Sequence, residues 1–476
     1  MTVRDRMRLA LLAAALLPCL ARAQATNPPA DAAAQPAAPA AEPAPAPAPP
    51  PKPAKPPVTS SFATTFYGFV EFDISYDTTQ SYQEGIGSNP STARPETAQS
   101  KHGRTIFTGR NSRFGFRIAA PEYNGIKVTG VIEADFEGNQ PSSPPASTEF
   151  SYYVPGTLRL RQGNIKIENK FVDVLVGQTW ALYGWQPFFF PATVFNLGGP
   201  WAEPFNRSAQ LRLSKNIKTD AFVFDVAAAA ARPPQRDAEA PDFQGGLRLG
   251  FAGWKGLHTP GFGGTTADPV TIGISGAYRS FRVSSSPAST AAGGLVYQDL
   301  KGSGYSIDAI IPVVPVQNSD DRRNALTINA SYTNGDGTSD LLGNITGGLP
   351  KPATLNANTP IDAGFVGADA SGKFHTINWN GYLIGAQYYL PPSGKIFVSA
   401  NYAFGQSDNI KKYAPAPAAG ALTGVWKKNL YYDANVFWDI TPALRTGFSY
   451  EHLEQTYVDD VKAKNDRFQT TTCLFF

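Results

Sequence analysis

Eight arginines share one kind of position. Arg113, Arg117, Arg159, Arg161, Arg212, Arg248, Arg279 and Arg467 each fall on the polar side of a stretch in which apolar residues take every second place. Glu71, Asp73, Glu133, Asp135, Glu137, Asp225 and Asp433 do the same on other stretches. A guanidinium stays charged and offers a planar fork of donors that fits a carboxylate or phosphate. The chemistry on offer is therefore non-covalent. Charges gathered on one face either draw small anions or neutralise each other across neighbouring strands. Both outcomes are open, and Arg159 and Arg161 lie one stretch beyond the acidic Glu133 to Glu137, which favours pairing.

Covalent chemistry has less to work with. The four histidines, His102, His258, His375 and His452, are scattered, three in or near links and His452 on the apolar parity of its stretch. No Gly-x-Ser-x-Gly, His-Glu-x-x-His or cysteine cluster is present. Asp320 and Asp321 read as a solvated rim rather than a metal site. No catalytic set, metal or cofactor is expected, and the chain does not read as an enzyme.

The elements that must hold these charges are strands of period two. Phe66, Gly68, Val70, Phe72, Ile74 and Tyr76 alternate with Glu71, Asp73 and Ser75. Phe114, Phe116 and Ile118 alternate with Arg113, Gly115 and Arg117, and after an Asn124-Gly125 turn the return stretch sets Ile132 and Ala134 against Glu133 and Asp135. The pattern recurs to the last residue, where Phe468, Thr470, Thr472, Leu474 and Phe476 share one side. Short links (Glu122 to Gly125, Pro391 to Lys395, Ile440 to Pro442) interleave with long ones (Pro141 to Gly156, Ala181 to Arg207, Gly335 to Lys373). Allowing for strands not delimited between Ile274 and Leu326, the count is about 16. The fold class is all-β: a transmembrane antiparallel β-barrel whose polar parity lines a lumen, with a C-terminal aromatic, Phe476, like the one the outer-membrane assembly machinery reads.

Composition agrees. Aromatics at 12% with 44 glycines and 2 methionines suit a β-rich chain, and a net charge of +3 gives no case for nucleic acid. Residues 1–23 read as a signal peptide: Arg4, Arg6 and Arg8, an apolar run from Leu9 to Leu20, then Ala21-Arg-Ala23. Residues 24–60 are rich in Ala and Pro and read as a periplasmic segment, either a tether or an inert leader; extended, roughly 30 residues reach on the order of 100 Å. The barrel takes 61–476. Beyond Cys19 in the signal peptide only Cys473 remains, so no disulfide framework forms within one chain. Within the third long link, Tyr183, Trp185, Phe188 and Trp201 belong to an aromatic run too large to leave in water. The link either folds into the barrel and narrows it or packs on a neighbouring subunit.

Phe66-Tyr-Gly-Phe69, Ser112-Arg-Phe-Gly-Phe116, Leu158-Arg-Leu-Arg161 and Val176-Gly-Gln-Thr-Trp180 resemble, in that order, the DcaP-like family of outer-membrane porins. The match spans about Thr65 to Asn206; beyond it, only strand pattern and the terminal Phe agree. The resemblance implies a homotrimer of 16-stranded channels in outer-membrane lipid, passing small, preferably anionic solutes such as dicarboxylates. It makes Arg113, Arg117, Arg159 and Arg161 a basic wall, joined on parity by Arg212 and Arg248 and faced by the acidic Glu71, Asp73, Glu133 and Asp135. The proline-rich 24–60 departs from a helical N-terminal segment that family members can carry, and is not expected to form a coiled coil. A largely plugged structural barrel, tethered to the cell wall by 24–60, is the rival reading.

Overall fold

Period-two alternation closes, in the computed structural model, into one antiparallel sheet. The structure describes residues 61–81, 92–138, 156–194, 203–234, 238, 240–284, 297–343, 345, 366–369, 373–414 and 416–476. The leader, the Ala/Pro segment and Trp201 lie outside the described residues.

β1 (Ala63–Asp77) pairs with β2 (Arg104–Thr108) and β3 (Arg113–Ala119), two halves of one stave interrupted at 109–112. β4 (Lys127–Asp135), β5 (Arg159–Glu168), β6 (Asp173–Trp180), β7 (Arg207–Lys218) and β8 (Phe222–Ala231) follow side by side. β9 (Asp242–His258), β10 (Thr266–Ser284), β11 (Tyr297–Val314) and β12 (Leu326–Asp336) continue the wall. A separate small hairpin, β13 (Val366–Ala368) with β14 (Phe374–Thr376), belongs to the link after β12. β15 (Asn378–Tyr389), β16 (Ile396–Gln406), β17 (Trp426–Thr441), β18 (Leu444–Tyr457) and β19 (Lys462–Phe475) complete it. β19 pairs back onto β1 from Phe69↔Phe475 to Asp77↔Arg467, so the sheet has no free edge. With β2 and β3 counted as one, the described wall has sixteen staves.

The closure is made at the last residue. Phe476 exchanges two backbone hydrogen bonds with Gly68, at 3.0 and 3.1 Å, and its ring stacks on Phe66 at 5.0 Å. Gly68 has no side chain because a Cβ there would lie 2.2 Å from the Arg113 carbonyl oxygen. At the other kind of turn, Asn124 and Gly125 both have positive φ (50° and 75°), and the Tyr123 and Ile126 amides donate to each other's carbonyls. That is the two-residue hairpin the Asn-Gly pair predicts.

Burial is inverted relative to a water-soluble domain. Val70, Ile132, Val176, Ile272 and Ile384 face outward and are more than half exposed, while Asp77, Arg279, Glu451 and Arg467 are buried inside. An outer apolar surface over a polar interior is what a lipid-spanning barrel requires. Links alternate short and long as expected, with two departures: β18 and β19 are joined at the long-link rim by only 458–461, and β11 and β12 at the short-link rim by 315–325, a longer link than 232–241 between β8 and β9.

Candidate functional site

The link after β6 turns into the lumen. Strand β6 ends at Trp180, and Leu182 and Tyr183 then donate their amides to Gln244 Oε1 of β9 at 2.9 and 3.1 Å. The Gly184 amide donates to Ser275 Oγ of β10 at 2.7 Å. Tyr183 is buried and its hydroxyl donates to the Tyr305 carbonyl at 3.3 Å. Trp185 and Phe188 stack on the Arg248 guanidinium, at 5.1 and 4.0 Å from its carbon. Farther on, Thr193 donates to Asp433 of β17 at 2.7 Å, and the Val194 carbonyl accepts from Gln469 of β19 at 2.7 Å. The segment thus runs along the inner faces of β9 and β10 and then against β17 and β19. Polar side chains of the wall hold it by its backbone, which satisfies groups that would otherwise be buried unpaired.

Opposite this segment stands the charged wall. Arg159 makes a two-point contact with Asp135 (2.9 and 2.6 Å), and Arg161 spans both acids, reaching Glu133 at 2.9 Å and Asp135 at 2.7 Å. Arg113 lies 3.9 Å from Glu133. Three guanidiniums therefore meet two carboxylates. Arg248 is paired with Asp225 at 3.0 Å. Arg117 is exposed and sits over the Tyr67 ring. Arg212 donates only to neutral acceptors, Gln210 Oε1 at 2.9 Å and the Trp180 carbonyl at 2.6 Å. Among the acids, Glu71 accepts from Asn111 at 2.8 Å and Asp73 from Thr471 at 2.5 Å, and both are buried.

The basic residues singled out on parity all face the lumen, but they are not equivalent. Arg159, Arg161 and Arg248 are held by carboxylates; Arg117 and Arg212 have none among the described residues. Parity alone misses Arg207. It begins β7 on the outward parity yet turns in over the Trp180 ring at 5.0 Å, and it too has no carboxylate partner among the described residues. Arg161 lies over the same Trp180 ring, at 5.9 Å. A signal exists in the sequence, since Arg207 follows directly on the aromatic link, but it is weak.

Between wall and segment lies a cavity of about 330 Å³. Glu71, Arg113, Glu133 and Arg161 form its charged side; Phe190, Phe205 and Phe262 are on the other. Phe262 comes from the β9–β10 turn, a region that reads in sequence only as a glycine-rich link. The cavity can hold a small hydrated solute between a wall of mixed charge and an aromatic one. A water-filled constriction lined by fixed charge selects ions by sign.

Glu203, at the far end of the link, is a titratable anchor. It is buried, and its Oε1 accepts from Gln186 at 2.8 Å. Burial pushes its carboxyl well above the usual range; the Gln186 bond opposes this and Asp308 adds to it. A raised folded pKa means that this contribution to stability is complete below the unfolded value of roughly 4.3 and is lost as pH rises through the folded one. Glu203→Gln is therefore expected to flatten the pH dependence of the thermal midpoint above about pH 4. A variant that keeps the wild-type slope would show that Glu203 is not its source.

The barrel superposes on the crystal structure of the outer membrane channel DcaP of Acinetobacter baumannii with a TM-score of 0.60, at 15% identity, over 87% of this chain and 98% of that one. Looser likenesses are OprB of Pseudomonas putida (TM-score 0.49, 13% identity, 87% of this chain and 94% of that one) and an anion-selective porin from Comamonas acidovorans (TM-score 0.47, 10% identity, 87% and 100%). No protein-family model and no curated protein matches the chain. The first likeness speaks to fold alone: the chain shares the transmembrane barrel fold of that channel.

Proposed function

We propose that this chain is a porin of the Gram-negative outer membrane, passing small hydrophilic solutes by passive diffusion with a preference for anions such as dicarboxylates. One observation carries the anion preference. Arg113, Arg159 and Arg161 face Glu71, Glu133 and Asp135, and Arg207 and Arg212 add two positive charges without carboxylate partners among the described residues. Fixed charge of one sign in a narrow, low-dielectric passage raises the local concentration of the opposite sign. The link carrying Tyr183, Trp185, Phe188 and Trp201 acts in this reading as the constriction, residues 24–60 lie in the periplasm, and Phe476 serves assembly. The test is the reversal potential of the refolded protein in a planar bilayer under a salt gradient. An anion-biased potential is expected. A cation bias would discard the preference and leave the porin.

The working unit in this reading is a homotrimer packed through β3–β8. Outward-facing tyrosines mark the other wall: Tyr278, Tyr305, Tyr332, Tyr382, Tyr402 and Tyr432, from β10 to β17. Tyrosine favours the lipid headgroup level, where its ring is apolar and its hydroxyl wet. The outward positions of β3–β8 carry Phe116, Ile132, Leu160, Val176 and Leu211, with no outward-facing Tyr. A wall without the tyrosine belt is suited to covering by another subunit. Native mass measurement in detergent is expected to give three copies; a monomer would end this reading.

Many inward side chains, Asp308, Glu451, Arg467 and Gln469 among them, are at most 1% exposed, which favours the rival reading of a structural barrel. A folded protein that never conducts would support it.

A further inference from the structure

The turn between β9 and β10 belongs to the rim of short links, yet it does not stay there. Down to Phe251↔Val270 the two strands pair in the wall; the register then jumps to Lys255↔Pro269, leaving three extra residues on β9. Below the jump β10 no longer pairs with β11, whose ladder with it ends at Thr271↔Ile310. Lys255 bridges Val316 instead, with the Val316 amide donating to the Lys255 carbonyl at 2.8 Å, and Trp254 donates to the Pro312 carbonyl at 2.7 Å. The hairpin has left the wall and folded inward. Gly256 marks the fold, since a Cβ there would stand 2.5 Å from the Pro312 Cβ.

The tip then crosses to the far side of the barrel. Leu257, His258 and Thr259 are at most 1% exposed. Thr259 meets Gln387 and Tyr389 of β15, at 3.1 and 2.6 Å. Phe262 stands 5.7 Å from the Phe437 ring of β17 and 6.5 Å from that of Phe475 of β19. Arg445 of β18, itself held by Asp439, donates to the Gly263 carbonyl and to Thr265. The link after β6 lies directly on this tip: the Gly261 amide donates to the Pro191 carbonyl at 2.8 Å, and His258 Nε2 is 3.0 Å from the Phe190 carbonyl oxygen.

From this we propose that the tip of the β9–β10 hairpin, residues 256–268, is a second constriction element. It closes the side of the lumen beneath the link, confines solute to the crevice against β1–β6, and with Phe262 sets the largest solute that passes. This rests on the porin reading. The contacts are specific rather than incidental: the tip is anchored to four staves by hydrogen bonds or ring contacts, and Phe262 and Gly263 border the cavity. A pore's limiting section governs both its conductance and the size it admits.

The experiment compares wild-type protein, a variant with 256–268 replaced by Asn-Gly, and Phe262→Ala, each refolded and measured in planar bilayers with polyethylene glycols of graded size added. Expected is a several-fold rise in conductance for the shortened hairpin, a smaller rise for Phe262→Ala, and admission of larger polymers by both. If wild type conducts and neither variant differs from it, the hairpin proposal is overturned while the porin stands. If wild type is silent and a variant conducts, the hairpin is a constriction and passive diffusion by the native chain falls. If all are silent, both fall. Should the shortened protein fail to fold, Phe262→Ala alone decides, because it keeps the hairpin and its backbone anchors.

Discussion

Changing Arg207 and Arg212 together to Gln is expected to abolish or reverse the anion preference while leaving the barrel folded. Neither side chain has a carboxylate partner among the described residues, so each charge acts on what passes rather than on a neighbour. A unit charge about 4 Å away contributes about 1 kcal/mol in water and more where the dielectric is lower. Two such charges lost shift the anion-to-cation ratio by about tenfold or more at low salt, since about 1.4 kcal/mol is a factor of ten. At about 1 M salt the Debye length shrinks to about 3 Å and most of the shift disappears. The measurement is the reversal potential of the double variant at both ionic strengths. An unchanged low-salt potential would place the selectivity elsewhere.

Arg159 and Arg161 predict differently, and the contrast explains what could be read in advance. Period two places both in the lumen, and they are there. Period two is silent on who stands opposite, because that depends on register: Asp135↔Arg159 and Glu133↔Gln162 flank a bulge that brings both arginines onto the two acids. Pairing and anion attraction were both open from the sequence, and the geometry gives the pairing. Arg207 was not legible for the opposite reason. It lies on the outward parity at the first residue of β7, where the chain is still leaving the link, so alternation assigns it to lipid. The same limit applies to 256–268. The glycines there read only as a link, whereas the missing side chain at Gly256 is what lets the backbone pack against Pro312, and the Gly261 amide donates to Pro191 inside the barrel. Between Ile274 and Leu326 the rest of β10 and the whole of β11 resist reading because Gly276, Ser280, Lys301 and Ser303 take the outward places where apolar residues would mark the strand. Strand closure, by contrast, was legible once the period-two stretch ending on Phe476 was taken together with the strand count and the alternation of short and long links, and β1 supplies the partner that stretch needs.

The second large effect concerns folding. Arg161 is buried at 4% exposure between two buried acids, with two of its nitrogens committed to them. Removing one member of such a set leaves a carboxylate desolvated without full compensation, which costs about 3–5 kcal/mol. Arg161→Met is accordingly expected to destabilise the barrel by about 3 kcal/mol in a denaturant titration into lipid vesicles, far more than Arg207→Gln. Glu133→Gln alone costs less, because Arg161 keeps Asp135 and the amide oxygen introduced at position 133 can still accept from Tyr67. In the double variant the uncompensated charge at 133 is gone, so the two costs do not add, and a coupling energy of about 2 kcal/mol is expected. Additivity within about 0.5 kcal/mol would mean the pair is solvated enough to be independent. In that case the cluster's charges would be free to act on solute, and Arg159 and Arg161 would rejoin Arg207 and Arg212 as selectivity residues.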